Sequence, residues 1–472
     1  MCSKLKGILS VSLDILRRNL YNNQDYSWNG GSFMKLNTKR TTLVGFAFLS
    51  ICAFWQMYDN LVPKILTETF GIGESISGVI MASDNVLALF LLPLFGGLSD
   101  KCTSRLGRRR PFILFGTLAA VALMMALPLL TDSFHAAPAT WKTICFIVAL
   151  GLLLIAMGTY RSPAVALMPD VTPKPLRSKA NAIINLMGAV GGIIYLIITT
   201  FLYKTTSDVY VSYLPLFAIV GGIMLAALAV VMFCVNEPKL VEEQKAYEDA
   251  HPEDNLAEMT ESGEALPADV RRSLSFLLVS IALWFIGYNG VTTWFSVYAA
   301  ESWNMTLGQA NTCLTIATAG AIVSYIPVGN VASKLGRRKT IRFGTLLLSG
   351  SFFAAFLYTM VSNAFSPILY GLFILVGVAW ASINVNSLPM VVEMCKGSEV
   401  GKFTGLYYTF SMTAQIATPI VAGWLLENVA YKALFPYAAI FVFASFITMG
   451  FVKHGDNKVA AKKGLEAFDI DD

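Results

Sequence analysis

Two short segments of the chain are most informative about its fold: GGLSDKCTSRLGRRRP at residues 96–111 and GNVASKLGRRK at residues 329–339. In each stretch, small residues end a long apolar run, and a glycine and a cluster of basic residues follow. An apolar run that ends in arginine and lysine is typical of a helix that leaves the membrane on the cytoplasmic side. Because the pattern occurs once in each half of the chain, we expect two similar halves of several membrane-spanning helices each.

The composition supports a membrane protein. Hydrophobic residues make up 55% of the 472 residues and charged residues 14%, and the mean hydropathy is +0.60. Soluble domains carry about 25% charged residues, so a soluble enzyme, a disordered chain and a nucleic-acid-binding module are excluded. The net charge of +5 needs no nucleic-acid partner, because basic residues concentrate in the cytoplasmic loops of multispanning proteins. The seven cysteines and three histidines show no metal-ligand spacing, so we expect no metal and no cofactor.

Apolar runs long enough to cross a bilayer as a helix predict twelve spans. The predicted spans are 41–65, 75–98, 111–131, 142–168, 179–203, 211–235, 273–299, 309–332, 341–362, 366–393, 402–426 and 431–453. Basic residues lie mostly on one side of this arrangement, which predicts cytoplasmic termini for an integral protein of the plasma (cell) membrane. The lipid bilayer is therefore an expected partner.

These spans divide the chain into five regions. The regions are an N-terminal tail at 1–40, a six-helix bundle at 41–235, an acidic cytoplasmic linker at 236–272, a second six-helix bundle at 273–453 and a cytoplasmic tail at 454–472. The linker is rich in aspartate and glutamate and poor in apolar residues, which favours a solvated connection with some surface helix.

The N-terminal tail has no apolar core and no small-residue cleavage site, so it is not a signal peptide. A disordered tail is favoured over a helix lying on the membrane surface. The two glycines shortly before Met34 could be encoded by a purine-rich tract that looks like a bacterial ribosome-binding site. We therefore hypothesise that translation starts at Met34 and that residues 1–33 are untranslated leader. A peptide from residues 5–17 in the mass spectrum of the native protein would exclude this.

The loop at residues 97–112 resembles that of major facilitator superfamily transporters, whose signature is Gly-x-x-Asp followed by Gly-Arg-Arg. The longer spacing between Asp100 and Gly107 is similar to plant sucrose–proton symporters and their animal relatives, a group linked to the glycoside–pentoside–hexuronide cation symporters. The segments SPAVAL at 162–167 and GLYY at 405–408 also fit. The resemblance covers about residues 41–453. It implies an all-α membrane protein with twelve transmembrane helices in two pseudo-symmetric six-helix bundles, the major facilitator fold.

The chain departs from these relatives at the positions that couple transport to an ion. Plant sucrose carriers have an acidic residue and a sugar-contacting arginine in helix four, where this chain has Leu154 and Val165. Melibiose permease has two acidic cation ligands in helix two, where this chain has Ala88 and Leu92. Neither coupling arrangement carries over, so the coupling ion, proton or sodium, stays open.

Three charges fall inside predicted spans, where a charge costs several kcal/mol and usually marks a cavity. Asp84 is a candidate for cation coupling; alternatively it is a structural carboxylate that pairs with Arg161. Asp59 is a second coupling candidate that could instead bind substrate hydroxyls or lie in a wet outer vestibule. Arg161 could hold substrate hydroxyls or neutralise Asp84, or its side chain could reach the membrane surface by snorkelling.

Sugar sites combine aromatic platforms with amides and carboxylates. By resemblance, helices one, four, seven and ten should line the cavity, with helix eleven adding to them. The substrate-binding candidates are Tyr58, Asn60, Arg161, Trp284, Tyr288, Asn289, Trp380, Asn384, Tyr407 and Gln415. Each residue alone is more often a packing residue, but together they favour a polar, neutral substrate. The conformational-switch candidates, which should pair with neighbouring helix ends, are Asp100, Arg108, Arg109, Arg337 and Arg338.

The sequence thus predicts a secondary active transporter that imports a glycoside or oligosaccharide by proton-coupled symport, not an enzyme. No Walker A pattern is present, so coupling to ATP is not expected. One alternative is a proton-coupled exporter of a small polar or amphipathic compound. Another is a non-transporting sugar receptor, with the acidic linker as its output surface.

Overall fold

A computed structural model describes residues 36–173, 176–203, 210–250, 267–394 and 400–456. These residues are almost entirely helical, and twelve of their helices are long and apolar enough to cross a membrane. The predicted all-α fold with twelve spans is confirmed. The hypothesis about Met34 and residues 1–33 lies outside the described residues, as do the middle of the acidic linker and most of the C-terminal tail.

The spanning helices are numbered α1 to α12 in chain order. The first six are α1 Thr38–Lys64, α2 Glu74–Asp100, α3 Arg110–Ala136, α4 Thr140–Asp170, α5 Arg177–Leu202 and α6 Leu214–Cys234. The second six are α7 Ala268–Trp303, α8 Leu307–Leu335, α9 Arg337–Val361, α10 Ile368–Glu393, α11 Val400–Asn428 and α12 Leu434–Met449. A π-helical turn, Ile65–Thr69, continues α1, and a linker helix, Glu237–Ala250, follows α6.

Local sequence explains several helix ends. The Asn37 side chain accepts a hydrogen bond from the Arg40 backbone N–H at 3.0 Å and so caps α1. A reciprocal capping box between Thr306 and Gln309 starts α8. α7 begins at Ala268, well before the predicted span 273–299. Hydropathy detects only the apolar part of a helix, whereas the charged first turn of α7 extends beyond it.

The two halves repeat the same internal packing. In the first half α1 packs on α5 and α6, α2 packs on α4, and α3 packs on α4 and α6. In the second half α7 packs on α11 and α12, α8 on α10, and α9 on α10 and α12. Between the halves, α2 contacts α11, α5 contacts α8 and α1 contacts α7. Two pseudo-symmetric six-helix bundles therefore meet along three seams.

The two ends of the molecule differ. Arg108–Arg110, at the start of α3, and Arg337–Lys339, at the start of α9, lie at one end, called the basic end below. At the opposite end, small residues bring the bundles into close contact. A Cβ atom at Gly78 of α2 would lie 2.2 Å from the Pro419 carbonyl oxygen of α11, and one at Gly308 of α8 would lie 2.4 Å from the Tyr203 carbonyl oxygen after α5. The bundles are therefore closed against each other at the opposite end.

Candidate functional site

A cavity of about 580 Å³ lies between the two bundles. Its walls come from α1, α2, α4 and α5 of the first bundle and from α7, α8 and α11 of the second. One wall residue is Pro419, beside the closed opposite end, and the walls continue to Met168, Pro169 and Asn181 toward the basic end. The cavity therefore extends from the middle of the membrane toward the basic end.

All three charges that the sequence places inside the membrane lie on the wall of this cavity. Asp84 accepts a hydrogen bond from the Asn85 side-chain amide at 2.7 Å. Asp59 lies within electrostatic range of Asp84 and Arg161. The Arg161 guanidinium carbon lies 5.4 Å from the ring centre of Trp55, a cation–π contact. The ion pairs of the described residues do not include one between Arg161 and either carboxylate, so in this conformation Arg161 rests on Trp55 instead.

Two further candidates, Asn289 and Gln415, also line the cavity. The structure adds Asn181 and Asn185 of α5, which the sequence analysis did not select as ligands. Their signal was present in the sequence, because two amides four residues apart lie on the same face of an otherwise apolar helix. With these residues the cavity wall presents amides from both bundles.

Two candidates in α1 are buried away from the cavity. Tyr58 and Asn60 are each 1% exposed and do not belong to the cavity wall. The Asn60 side-chain oxygen accepts a hydrogen bond from Tyr195 of α5 at 3.0 Å, and its carbonyl oxygen accepts one from Ser296 of α7 at 2.7 Å. Successive helix residues point about 100° apart, so Asn60, next to cavity-facing Asp59, is directed toward α5 and α7.

The aromatic candidates Tyr288 and Trp380 are partly buried and do not belong to the described cavity wall. Their rings stack with centres 3.7 Å apart and planes 6° apart, which joins α7 to α10. Phe285 packs edge-on against Trp380 at 5.6 Å. This cluster packs α7 against α10 and is not part of the described cavity wall in this conformation.

The remaining candidates in the second bundle are packing residues in this conformation. Trp284 is fully buried, Asn384 is 8% exposed, and the Tyr407 hydroxyl shares a hydrogen bond with Ser387 at 3.1 Å. The residues described for α10 contribute nothing to the cavity wall. The resemblance implied a wall from helices one, four, seven and ten with helix eleven adding to them; of these, α1, α4, α7 and α11 line the cavity and α10 does not, whereas α2, α5 and α8 also contribute.

At the basic end of the first bundle, Arg109 joins the ends of α2 and α4. Its Nε donates to Asp170 at 2.7 Å, and its guanidinium also pairs with Asp100. Burial disfavours the charged guanidinium, but the hydrogen bonds and charges of Asp170 and Asp100 outweigh it and raise the pKa of Arg109 above its ordinary value. Arg108 pairs with Asp170 at 3.3 Å. The predicted switch residues of this bundle thus lie in one network.

The second bundle has a simpler version of this network. Arg337 pairs with Glu393 at the end of α10, as Arg108 pairs with the end of α4. The Arg338 guanidinium donates to the carbonyl oxygen of Gly450 at 2.6 Å and so connects α9 to the end of α12. Ser333 stands at the position of Asp100, so this loop lacks the second carboxylate.

Sequence reasoning missed Glu237, which completes the loop of the first bundle. This residue is the first of the linker helix that follows α6 and is 1% exposed. Its carboxylate accepts hydrogen bonds from the backbone N–H groups of Arg108, Arg109 and Arg110 at 2.7 to 3.1 Å. Gly107 has a φ of 110°, and a Cβ atom there would lie 2.3 Å from the carboxylate. The glycine of the motif therefore makes room for the carboxylate that caps α3.

Asp456 occupies the equivalent place in the second bundle. It lies just beyond α12 and accepts the backbone N–H of Arg338 at 3.1 Å. Gly336 has a φ of 96°, and a Cβ atom there would lie 2.6 Å from the Asp456 carboxylate. The only sequence signal was an acidic residue shortly after the last helix of each bundle. The described residues include no cluster of three or more side chains that could hold a metal ion.

The fold and cavity define a class: an integral membrane protein with two repeated bundles around a central site, the architecture of membrane carriers. The chain belongs to the Major Facilitator Superfamily, whose family model matches residues 44–306 and 297–468. It is similar to sucrose transport protein SUC3 of Arabidopsis thaliana, with 32% identity over 152 residues. Sucrose transport protein SUT3 of Oryza sativa subsp. indica shows the same identity over the same length. The match covers 30% of this chain, 25% of the Arabidopsis protein and 30% of the rice protein.

Solved structures show the same fold at low sequence identity. A bacterial homologue of the iron transporter ferroportin in an inward-facing state has a TM-score of 0.66 and 12% identity, and the match covers 89% of this chain and 100% of that chain. A D-xylose–proton symporter has a TM-score of 0.62 and 16% identity, with coverage of 89% and 98%. These likenesses show the fold alone.

Proposed function

We propose that the protein is a secondary active transporter that carries a neutral sugar, a glycoside or oligosaccharide, together with protons by alternating access. The observation that carries the proposal is one cavity that combines two carboxylates and a guanidinium with amides from both bundles. The relatives named sucrose transport proteins and the neighbour named a D-xylose–proton symporter support this substrate class and coupling ion. The positive-inside rule makes the basic end cytoplasmic, in the plasma membrane, with both termini inside.

Charge balance in the cavity supports ion coupling. Asp59 and Asp84 carry two potential negative charges, and Arg161 is the only positive side chain among the described wall residues. Arg161 can offset one carboxylate, which leaves the other for a cation. A carboxylate on a cavity that opens to the two sides in turn can take up a proton on one side and release it on the other.

The wall also offers donors for a hydroxylated substrate. Trp55 Nε1 and Asn289 Nδ2 are buried wall atoms without a hydrogen-bond partner among the described residues. An unpaired buried donor is costly, so we infer that these two side chains turn toward the cavity when a ligand with acceptor oxygens is bound. Because Trp55 belongs to the first bundle and Asn289 to the second, such a ligand would connect the bundles. The cavity volume lies within the range of about 300–1,000 Å³ that is typical of small-molecule sites.

The experiment is a pH measurement on weakly buffered cells that express the protein, after addition of single sugars, with sucrose first. Symport predicts that the medium becomes alkaline with one sugar and that Asp84→Asn abolishes this response. Asp249→Asn, which removes an exposed carboxylate from the linker helix, is the matched control and should respond like the wild type. A wild-type alkalinisation in Asp84→Asn would contradict the coupling role of Asp84.

Reconstituted proteoliposomes separate the proposal from its rivals. Asp84→Asn should lose uphill uptake but keep exchange of labelled sugar, because exchange needs no net proton movement. Sugar binding without any flux in the wild type would indicate a receptor. Flux that runs only from the basic end outward would indicate an exporter. Surface expression equal to the wild type is required in each case.

A further inference from the structure

At the opposite end, α2 and α8 each begin against the other bundle. The backbone N–H of Ser75, the second residue of α2, donates to the side chain of Glu427 near the end of α11 at 2.7 Å. The backbone N–H of Gly308, the second residue of α8, donates to the carbonyl oxygen of Tyr203 at the end of α5 at 3.0 Å. α2 and α8 are equivalent helices of the two halves, and so are α11 and α5. Both seams therefore use the same contact.

The first N–H groups of any helix lack partners within the helix and need an acceptor from elsewhere. α8 has its own capping box, whereas the N-cap residue of α2 is Gly73, which has no side chain to offer. A Cβ atom at Gly73 would lie 2.5 Å from Glu427 Oε1, so the missing side chain also leaves room for this carboxylate. α2 thus receives its cap from the facing bundle.

We propose that Glu427 is a positioning residue for alternating access, because it caps α2 from the facing bundle only while the opposite end is closed. When the bundles separate there, the N–H of Ser75 loses this acceptor and the cap contributes nothing. The hydrogen bond from the Tyr431 hydroxyl to Glu74 reinforces the same seam. In the equivalent seam between α5 and α8, the acceptor is the backbone carbonyl of Tyr203, which substitution cannot remove. Of the two acceptors at this end, only the Glu427 side chain can therefore be removed by substitution. The two contacts together are called the gate below. The inference rests on the proposed transport function.

The test measures distances between spin labels placed at Leu129 of α3 and Val361 of α9, on a background without native cysteines. Both positions lie near the opposite end, at 54% and 88% exposure, and report the separation of the bundles. Glu427→Ala should shift the ratio of outward-open to inward-open molecules about fivefold toward outward-open, the effect of losing one helix cap. Gly73→Ala should act in the same direction by displacing the Glu427 carboxylate. Gly371→Ala, near the opposite end of α10 with open space around it, is the matched control and should leave the ratio unchanged.

Glu427→Gln distinguishes loss of the hydrogen-bond acceptor from loss of the negative charge, because the amide oxygen can still accept the hydrogen bond from the Ser75 N–H. It should stay near the wild-type ratio. The proposal is overturned if Glu427→Ala and Gly73→Ala leave the ratio unchanged, if Gly371→Ala shifts it equally, or if Glu427→Gln shifts it as far as Glu427→Ala. If Glu427→Ala fails to fold, Gly73→Ala decides, since it keeps the carboxylate. The distances need no substrate, so a shift without sugar uptake would refute the proposed function and leave the gate intact.

Discussion

Replacement of Glu237 by alanine should strongly destabilise the first bundle. The carboxylate is buried and accepts three backbone N–H groups at the start of α3. Arg109 and Arg110 are themselves only 5% and 8% exposed, so water reaches the freed N–H groups poorly. The substitution therefore removes a helix cap and leaves buried donors without acceptors.

The magnitude follows from these contacts. A hydrogen bond to a charged group contributes about 1.5–3 kcal/mol, but three bonds that share one carboxylate do not add. We expect a loss of about 3–5 kcal/mol, because three N–H groups lose their acceptor and each buried donor left unpaired costs about 1–3 kcal/mol. In domains of 150–250 residues, 1 kcal/mol lowers the melting temperature by about 2–4 °C. Glu237→Ala should thus lower the temperature at the unfolding midpoint by about 6–20 °C. The midpoint is measured by the tryptophan fluorescence of the purified protein in detergent.

Asp456→Ala is the matched control from the second bundle. Asp456 is half-buried and accepts one backbone N–H at 3.1 Å, so its loss should cost about 1 kcal/mol, or about 2–4 °C. Glu237→Gln should lie between the wild type and Glu237→Ala, because one amide oxygen can still accept. Equal midpoints for Glu237→Ala and Asp456→Ala would refute the reasoning, since the difference in burial and bond number would then have no effect.

Two further substitutions test the cavity and the helix packing. Arg161→Lys should reduce uptake at least tenfold if the guanidinium binds substrate, because lysine cannot reproduce its planar, forked donors or its stacking on Trp55; wild-type uptake kinetics would exclude that role. Gly191→Leu should abolish folded protein at the membrane, because even a Cβ atom would lie 2.1 Å from the Leu49 carbonyl oxygen of α1. Gly151→Leu on α4, where no atom lies within 4 Å, should be tolerated in the same surface-expression assay, and equal expression of both variants would show that this close packing is unimportant.

Hydropathy predicted the number of spanning helices because a bilayer imposes one length on every span. It predicted their ends less well. α9 begins at Arg337, inside the basic cluster, whereas the apolar run begins at residue 341. A basic first turn is helical because it carries the same backbone hydrogen bonds as the rest of the helix, and hydropathy cannot detect this.

Charge was a better guide to the cavity wall than aromatic or amide character. Asp59, Asp84 and Arg161 all lie on the wall, because a charge inside the membrane has few tolerable environments besides a cavity. An aromatic or amide side chain such as Trp284 or Asn384 is tolerated in many environments, and both of these residues are buried between helices. The rotation of an apolar helix about its axis depends on its neighbours, so its own sequence does not determine which face meets the cavity.

The contacts of Glu237 could not be predicted, because its partners are backbone groups on a loop more than a hundred residues earlier in the chain. A sequence motif is a pattern of side chains. The backbone N–H groups at the start of α3 have the same chemistry in any sequence, so they leave no such pattern. Only the positive φ of Gly107 relates to this contact, and glycine is common in turns that hold no carboxylate, since it adopts a positive φ at little cost.

The distribution of charge over the two bundles bears on the mechanism. The charged side chains of the described cavity wall are Asp59, Asp84 and Arg161, and all three belong to the first bundle. The second bundle contributes neutral groups such as Asn289 and Gln415. If each bundle moves as a unit, the distances among the three charges stay nearly constant during transport. The protonation of the two carboxylates must then respond to water access and to the groups that the second bundle and the substrate bring near them. In the proposed symport, a substrate that contacts both bundles would link the protonation of these carboxylates to the relative position of the bundles.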